Sequence, residues 1–171
     1  CRIPCPCGKH RNYAHHFVQP FLDAVDSLGV KCEIIWTHEL YEKGVFAECI
    51  DKTFEKRHEI IQLLHEVTGK EAKEDYAPYN PVCEKCGRFT HPIFDSYKFP
   101  FVEYDCICGH HGKADIRQAD GKLTWRLEWP AKWKVFGTSA EPFGKDHAAA
   151  GGSYDSGKRI ISEIFDGKAP Y

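Results

Sequence analysis

Four cysteines in the middle of the chain stand in two close pairs. Cys83 and Cys86 form the first pair, Cys106 and Cys108 form the second, and a glycine follows each pair. Such a glycine lets the backbone bend and direct amide groups toward the sulfur. Two turns of this kind close a tetrahedral site of four thiolates, which suits Zn²⁺. The spacing therefore predicts a structural zinc ion that has no open coordination position for chemistry.

Two alternatives to the four-thiolate site stay open. His110 and His111 follow the second pair at once, and either of them can replace one sulfur. The cysteines can also pair as disulfides, but close pairs of this kind are more typical of metal sites. Because no secretion signal is recognised, we expect a reducing, cytoplasmic location. Cys32 and Cys49 lie in apolar patterns and are predicted to be core residues.

A second group of possible ligands lies near the start of the chain. It contains five residues: Cys5, Cys7, His10, His15 and His16. These residues form either a second metal site or a loop and helix start whose histidines are solvated or hydrogen-bonded. No second close cysteine pair completes the set, so the sequence favours the loop over the metal site.

The stretch EPFGKDHAAAGGSYDSGK, residues 141–158, carries the features of a small-molecule site. Gly144 allows a ligand to approach the backbone closely. Asp146 can accept hydrogen bonds from a hydroxyl or an amine, and His147 can donate one to a phosphate. Gly151 and Gly152 stand near a helix start, where free amides favour anions. A tight turn with a helix cap explains the same residues equally well.

Three tryptophans recur every four residues just before this stretch. Trp125, Trp129 and Trp133 fit one buried aromatic stripe. Trp125 also lies at the predicted end of a strand, where it can form an aromatic wall for a ligand.

The first half of the chain reads as helix, strand and helix. Apolar residues at helical spacing predict a helix from about residue 12 to Gly29, although Pro20 lies inside it. The run KCEIIWT, residues 31–37, predicts a strand. A long amphipathic helix follows from Phe46 to about Val67. This order favours an α/β sheet with crossover connections.

The pattern changes in the second half. Residues 69–82 read as a linker, and the cysteine pairs follow among short strands. Near residue 122 we expect a strand and then a helix that has Pro130 in its first turn and stops at Gly137. A short strand over 138–144 and a helix over 147–165 complete the prediction.

Composition sets the outer limits. The chain has 171 residues, of which 42% are hydrophobic, enough for one medium domain with a small insert. No apolar run is long enough to cross a membrane. The net charge of −2 gives no general sign of nucleic-acid binding. The chain begins with Cys1 and contains no Met, so we expect sequence on both sides of it.

Several blocks together resemble the catalytic domain of class I lysyl-tRNA synthetases. They are, in order, HRNYAHHFVQPFLDAV, LYEKGVFAECIDKTFEKRHEI, CEKCGR, YDCICGHHGKADIR, WRLEWPAKWKVFG and EPFGKDHAAAGGSYDSGK. The resemblance covers nearly the whole chain in the right order. It implies an incomplete Rossmann-like parallel sheet, interrupted by a zinc-ribbon connective-peptide insertion. Residues 1–70 and 121–171 would be the two parts of the catalytic domain, and 71–120 the insertion.

The resemblance also implies an activity. Such enzymes join lysine and ATP, with Mg²⁺, into lysyl-adenylate and transfer the lysyl group to tRNA(Lys). By resemblance Trp125 and His147 line the lysine pocket, Gly144 and Asp146 lie at the lysine or ribose-adenylate region, and Gly151 and Gly152 border the nucleotide. No side chain of this chain is assigned a covalent catalytic role.

Two motifs of the family are absent from these residues. A His-x-Gly-Asn/His motif is expected before residue 1, and a Lys-Met-Ser-x-Ser loop after residue 171. We therefore expect a monomeric, cytoplasmic enzyme whose present segment is inactive alone. The alternative is a non-catalytic zinc-ribbon binding module on an α/β scaffold.

Overall fold

The computed structural model describes residues 3–70 and 74–171, and the chain divides into two units. The first unit is Cys1–His38 and the second is Glu39–Tyr171. Residues 71–73, in the predicted linker, lie outside the described residues. None of the described helices has the length and apolar character needed to span a membrane.

One helix, α1, dominates the first unit. It runs over Tyr13–Ser27, as the apolar spacing predicts, and continues through Pro20. The Asn12 side chain caps its start by accepting a hydrogen bond from the His15 amide at 3.0 Å. Gly29, with φ of +70°, follows its end and provides the left-handed conformation that a helix stop favours.

The strand predicted over residues 31–37 does not form. Residues 30–36 have no regular structure, and helix α2 begins at Thr37 (Thr37–Glu42). A β-branched run becomes a strand only where another strand pairs with it, and no described strand does so here. The prediction that Cys32 is a core residue is also wrong, because Cys32 lies in this irregular segment and is exposed.

The long helix predicted from Phe46 to Val67 is two helices. Helix α3 spans Ala47–Glu55 and helix α4 spans Arg57–Thr68, with Lys56 at φ −103° and ψ 27° between them. Nε of Arg57, the first residue of α4, donates to the Tyr76 carbonyl at 3.0 Å. Cys49 is buried on α3, as predicted.

Both sheets of the described residues are antiparallel. One pairs β1 (Tyr79–Pro81) with β5 (Gly121–Leu123), and the other has the order β2 (His91–Pro92), β3 (Phe101–Asp105), β4 (His111–Asp115). A short 3₁₀ turn, Phe94–Ser96, connects β2 to β3. The fold is therefore mixed α/β with small sheets, and the parallel sheet expected from the sequence is not seen in these residues. Strands of two to five residues joined by short turns pair locally, which favours antiparallel ladders.

Two helices complete the second unit. Helix α5 spans Trp125–Phe136 and ends before Gly137, as predicted, but it begins five residues before Pro130. Residues 138–144 form no strand. Helix α6 spans Ser153–Glu163, so the helix predicted over 147–165 begins later, after a series of turns.

Helix α6 packs against α5 and α4 to form the centre of the second unit. Its contact with α5 depends on Gly157, because a Cβ atom there would lie 2.7 Å from the Trp133 ring. Ile160 of α6 and Ile164, which follows its end, enter a continuous buried core that extends to β3 and β4. The short sheets and the helices are therefore joined by one apolar cluster.

A buried carboxylate connects α2, β5 and α5. Glu128 is 2% exposed and accepts a hydrogen bond at 3.0 Å from the Tyr41 hydroxyl, which itself accepts the Leu123 amide at 3.1 Å. Lys122 and Lys132 each place Nζ 3.5 Å from the Glu128 carboxylate. Burial and the neighbouring carboxylate raise the pKa of Tyr41. The network holds the start of α5, which carries Trp125.

Replacement of Gly157 by alanine should loosen the α5–α6 contact. The added methyl group overlaps the buried Trp133 ring, and overpacking of this kind costs about 1–3 kcal/mol. We expect the free energy of local opening, measured by hydrogen exchange of α5 and α6 amides, to fall by that amount. Ser162→Ala, an exposed position on the same helix, is the control. If the α5 and α6 amides of Gly157→Ala keep the hydrogen-exchange protection of the wild type, the helices can accommodate the methyl group without a loss of stability.

Candidate functional site

An aromatic cluster lies along one side of α5. Trp129 and Trp133 are buried, so the predicted aromatic stripe is confirmed for them. Residues from the segment after α5 and from α6 pack around Trp129: Phe143 at a ring-centroid distance of 5.5 Å and Tyr154 at 6.5 Å. Tyr154 is fixed by donating a hydrogen bond to the Pro170 carbonyl at 2.7 Å. The cluster provides a packed support for Trp125 and His147, whose rings lie next to Trp129.

Trp125 differs from the other two tryptophans because half of its surface, 49%, is exposed. Its ring stacks on Trp129 at 5.5 Å with an interplanar angle of 18°. The His147 ring lies 6.0 Å from Trp125 and 5.4 Å from Trp129. The structure therefore brings together two residues predicted to share a site, 22 positions apart in the sequence. An open indole face of this kind can bind an aliphatic chain or a cation.

Tight turns carry Gly144, Asp146 and His147. The His147 amide donates to the Gly144 carbonyl at 3.0 Å. A Cβ atom on Gly144 would lie 2.6 Å from Oδ1 of Asp146, so a larger residue there would require this exposed carboxylate to move. The Asp146 side chain is 80% exposed, and its Oδ2 lies 3.7 Å from Nε2 of His147. A solvent-facing carboxylate beside an imidazole is thus available to a ligand.

Gly151 and Gly152 form the entrance to α6. Gly151 has φ of +73°, and Gly152 is the residue that precedes the helix. The Gly151 amide donates to the Asp155 carboxylate at 3.2 Å. The Gly152 amide donates to the Ala149 carbonyl at 2.7 Å. The structure confirms a helix start at the Gly-Gly pair, but both of its amides are already bound within the protein.

Arg126, which the sequence analysis did not single out, joins the two helices at this point. Its guanidinium donates to the Gly152 carbonyl at 3.2 Å and to the Ser156 hydroxyl at 2.8 Å. Phe143 was missed as well. Both residues flank predicted site residues in sequence, but nothing in their spacing distinguishes them from ordinary surface or core residues.

The four central cysteines converge. Each pair lies on a turn: the Gly87 amide donates to the Cys83 carbonyl, and the Gly109 amide to the Cys106 carbonyl, both at 2.8 Å. The Sγ atoms of Cys83 and Cys108 are 3.8 Å apart, and those of Cys86 and Cys106 are 3.5 Å apart. The four donor atoms lie within 4.8 Å of one another. This set can hold one tetrahedral metal ion.

Charge favours a cation in the same place. Burial opposes ionisation of Cys83, but hydrogen bonds from the backbone of Cys86 and Lys85 outweigh it and lower its pKa to about 6. A backbone hydrogen bond from Cys108 also acts on Cys106, yet burial and the three neighbouring thiols raise its pKa to about 12. Four crowded thiols cannot all ionise unless a cation compensates them. A divalent metal ion bound here would supply that compensation.

His110 and His111 are engaged elsewhere. Nε2 of His110 lies 2.9 Å from the Glu84 carboxylate, and Nδ1 of His111 lies 2.8 Å from the Asp105 carboxylate. Asp105 and Glu103 raise the pKa of His111. The metal-ligand group contains four cysteines and neither histidine, which agrees with the predicted four-thiolate site and not with the alternative in which a histidine replaces a sulfur.

A second convergent group lies in the N-terminal unit. It consists of the Sγ atoms of Cys5 and Cys7 and the Nδ1 atoms of His10 and His16, all within 4.8 Å of one another. His15 is not part of it, because its ring stacks on Trp36 at 3.7 Å. The sequence favours a loop without metal here, but the structure brings four possible ligand atoms together.

Comparison with known proteins gives the context of these sites. The model of the family described as tRNA synthetases class I (K) matches residues 1–171, which is the whole chain. The chain belongs to this class I (K) synthetase family. The resemblance inferred from the sequence blocks is confirmed.

Archaeal relatives of this chain are named as lysine–tRNA ligases. The chain is 50% identical to the one from Thermoplasma volcanium over 168 residues, which cover 98% of the chain and 33% of the relative. It is 46% identical to lysine–tRNA ligase 1 of Methanosarcina acetivorans, over 99% of the chain and 32% of the relative. It is 43% identical to the ligase from Archaeoglobus fulgidus, over 100% of the chain and 34% of the relative. The chain spans about a third of the length of these curated relatives.

Proposed function

We propose that this chain is part of a lysine–tRNA ligase that activates lysine with ATP and transfers it to tRNA(Lys). The match of the class I (K) family over all 171 residues, together with relatives bearing that name, carries the proposal. In the whole protein the segment supplies the lysine pocket and part of the adenylate site.

The half-exposed Trp125 suits the side chain of lysine. Its indole face offers a surface for the methylene chain and a cation–π contact for the ammonium group. Asp146 supplies an exposed carboxylate that can pair with an ammonium or accept hydrogen bonds from a ribose. His147, adjacent to both, closes the polar side of the pocket. Both charge and shape then favour a long cationic amino acid.

The nucleotide lies next to this pocket in our proposal. Gly144 lets it approach the backbone, and Gly151 and Gly152 border it at the α6 entrance. No side chain here acts as a nucleophile; the residues position the lysine carboxylate for attack on the ATP α-phosphate, which releases pyrophosphate as the leaving group. Mg²⁺ bound with ATP would stabilise the phosphate charge. Residues outside this chain complete the parallel nucleotide-binding sheet.

We propose that residues 71–120 are the connective insertion between the two parts of the catalytic domain, 1–70 and 121–171. A Zn²⁺ ion on Cys83, Cys86, Cys106 and Cys108 holds its shape, and its donor distances support that metal. The whole protein is a cytoplasmic monomer in this proposal.

An exchange assay tests the function directly. The full-length protein is incubated with ATP, radioactive pyrophosphate, Mg²⁺ and each of the 20 amino acids in turn. Lysine should give exchange and the others should give little. Exchange that depends on another amino acid, or no exchange with any amino acid, would contradict the assignment.

Asp146→Asn in the full-length protein should weaken lysine activation while leaving the fold intact. Loss of a charge-assisted hydrogen bond costs about 1.5–3 kcal/mol, so we expect kcat/KM for lysine to fall about 10- to 100-fold. Asp23→Asn, an exposed carboxylate on α1, is the control. Unaltered exchange kinetics in Asp146→Asn would remove this residue from the site.

A further inference from the structure

We propose that Arg126 binds the negative charge at the reacting centre, through the guanidinium donors that the described protein leaves unused. The group it binds is an oxyanion, which belongs either to the carboxylate of lysine or to the α-phosphate of ATP. The inference rests on the proposed activation of lysine and adds a charged residue to that site.

The guanidinium of Arg126 lies at the entrance of α6 with only one of its nitrogens in use. Nη1 donates to the Gly152 carbonyl at 3.2 Å and to the Ser156 hydroxyl at 2.8 Å. Nε and Nη2 donate to none of the residues that the structure describes. Because the guanidinium is rigid and planar, these two nitrogens lie beside the same helix entrance. Their N–H groups are therefore available to a ligand next to the Gly-Gly pair.

The positive charge of Arg126 has no counter-charge in the described part of the chain, where no carboxylate forms an ion pair with it. Asp155, in the first turn of α6, is already paired with Lys158 at 3.0 Å. Arg159, later on the same helix, differs because it holds the Glu163 carboxylate at 2.7 Å. Arg126 is half-buried, and a charge withdrawn from water is costly unless an opposite charge meets it. We therefore expect an anion from outside this segment to bind here.

Arg126 and Trp125 contact different parts of the proposed substrate site. Successive residues of a helix point about 100° apart, so the two side chains diverge. Trp125 lies 6.0 Å from the His147 ring, whereas Arg126 reaches Gly152. The Tyr154 amide donates to the His147 carbonyl at 3.2 Å, which keeps the histidine turn beside the start of α6. The cation therefore lies next to the aromatic wall, at the border proposed for the nucleotide.

The charge of the guanidinium decides which end of lysine it suits. A cation repels the ammonium group of the lysine side chain, which lies against Trp125 and Asp146 in the proposed pocket. It attracts the carboxylate at the other end of lysine and the α-phosphate, and a planar guanidinium can bind either with two parallel hydrogen bonds. Because these two anions repel each other as they approach, a cation bound at one of them favours the reaction.

Arg126 acts in this reaction through its charge alone. A carboxylate oxygen of lysine forms a bond to the α-phosphorus, while the bond from that phosphorus to the bridging oxygen of pyrophosphate breaks. The bonding electron pair leaves with pyrophosphate. The guanidinium keeps its protons throughout, because an arginine side chain is not deprotonated in proteins. A carboxylate elsewhere in the whole protein is the competing partner for this charge, and in that case Arg126 contacts neither substrate.

Titration calorimetry of the full-length protein with three ligands tests the inference and identifies the anion. Lysinol has neither the carboxylate nor a phosphate, lysine has the carboxylate, and lysinol adenylate has the phosphate alone. Arg126→Gln should bind lysinol as the wild type does. It should bind lysine about 10- to 100-fold more weakly if the carboxylate is the partner, and lysinol adenylate by the same factor if the phosphate is. Equal weakening of all three ligands, which indicates a structural role, or weakening of none would overturn the inference.

Arg159→Gln is the matched control, because it removes the same charge from α6 at a residue already paired with Glu66 and Glu163. It should bind all three ligands as the wild type does. Arg126→Lys keeps the charge and serves where Arg126→Gln does not fold; its loss should be smaller and should again spare lysinol. Lysine-dependent exchange by the wild type reports on the proposed function alone. A wild type without such exchange refutes that function, whereas an active wild type with an unaffected Arg126→Gln refutes only the assignment of Arg126.

Discussion

Trp125→Ala in the full-length protein is expected to raise KM for lysine about 30-fold in ATP–pyrophosphate exchange, with little change in KM for ATP. A desolvated cation–π contact contributes about 2 kcal/mol, which corresponds to that factor. Trp125 is the half-exposed member of the aromatic stripe, so its removal opens the pocket without emptying the core. Trp125→Phe, which keeps an aromatic face, should recover part of the loss.

Phe136→Ala provides the matched control for this prediction. Phe136 lies on the same helix and is 42% exposed, but it is the last residue of α5 and Trp125 is the first. Its replacement should leave KM for lysine unchanged. If Trp125→Ala behaves like Phe136→Ala, or if it changes KM for ATP alone, the indole does not bind the lysine side chain.

The pairing of Trp125 with His147 could be anticipated from the resemblance, and the structure places them 6.0 Å apart. The physical cause of this arrangement was not visible in the sequence. It depends on Gly157, which lets α6 approach Trp133, and on Arg126, which joins α5 to the α6 entrance. Such contacts arise from side-chain geometry between helices, and periodicity does not encode them.

Secondary structure was predictable where local signals suffice. Asn12 and Gly29 bracket α1, and Gly137 ends α5, because caps act over a few neighbouring residues. The strand over 31–37 failed because a strand depends on a distant partner, which composition cannot reveal. The interruption at Lys56 was missed because the apolar spacing continues through it.

The two metal-ligand sets show the same limit. The four-cysteine site can be predicted from the spacing of its two close cysteine pairs alone. The second set has one close cysteine pair, and its other donors come from a loop and a helix. This second set could be predicted only if the orientation of α1 were known, because α1 places His16, and not His15, near Cys5 and Cys7. Helix phase therefore decides which of two adjacent histidines can bind a metal.

Cys106→Ser in the full-length protein should remove one zinc ion and unfold the lobe that contains β2, β3 and β4. Strands of two to five residues bury too little surface to be stable alone. A structural zinc contributes about 10–16 kcal/mol of apparent binding free energy, which exceeds the stability of most small domains. We expect β3 and β4 amides to lose nearly all protection from hydrogen exchange, with zinc content measured in parallel.

The effect should decrease with distance from the metal, because the lobe also shares the apolar core of the second unit. Val102 and Ala114 are fully buried in the cluster that contains Ile160 of α6. We therefore expect a moderate loss of protection in α6, where Ile160 loses partners. Cys32→Ser, an exposed thiol outside both ligand sets, is the control and should keep the full metal content. A Cys106→Ser protein with unchanged zinc and protected β3 amides would show that packing, and not the metal, holds the lobe.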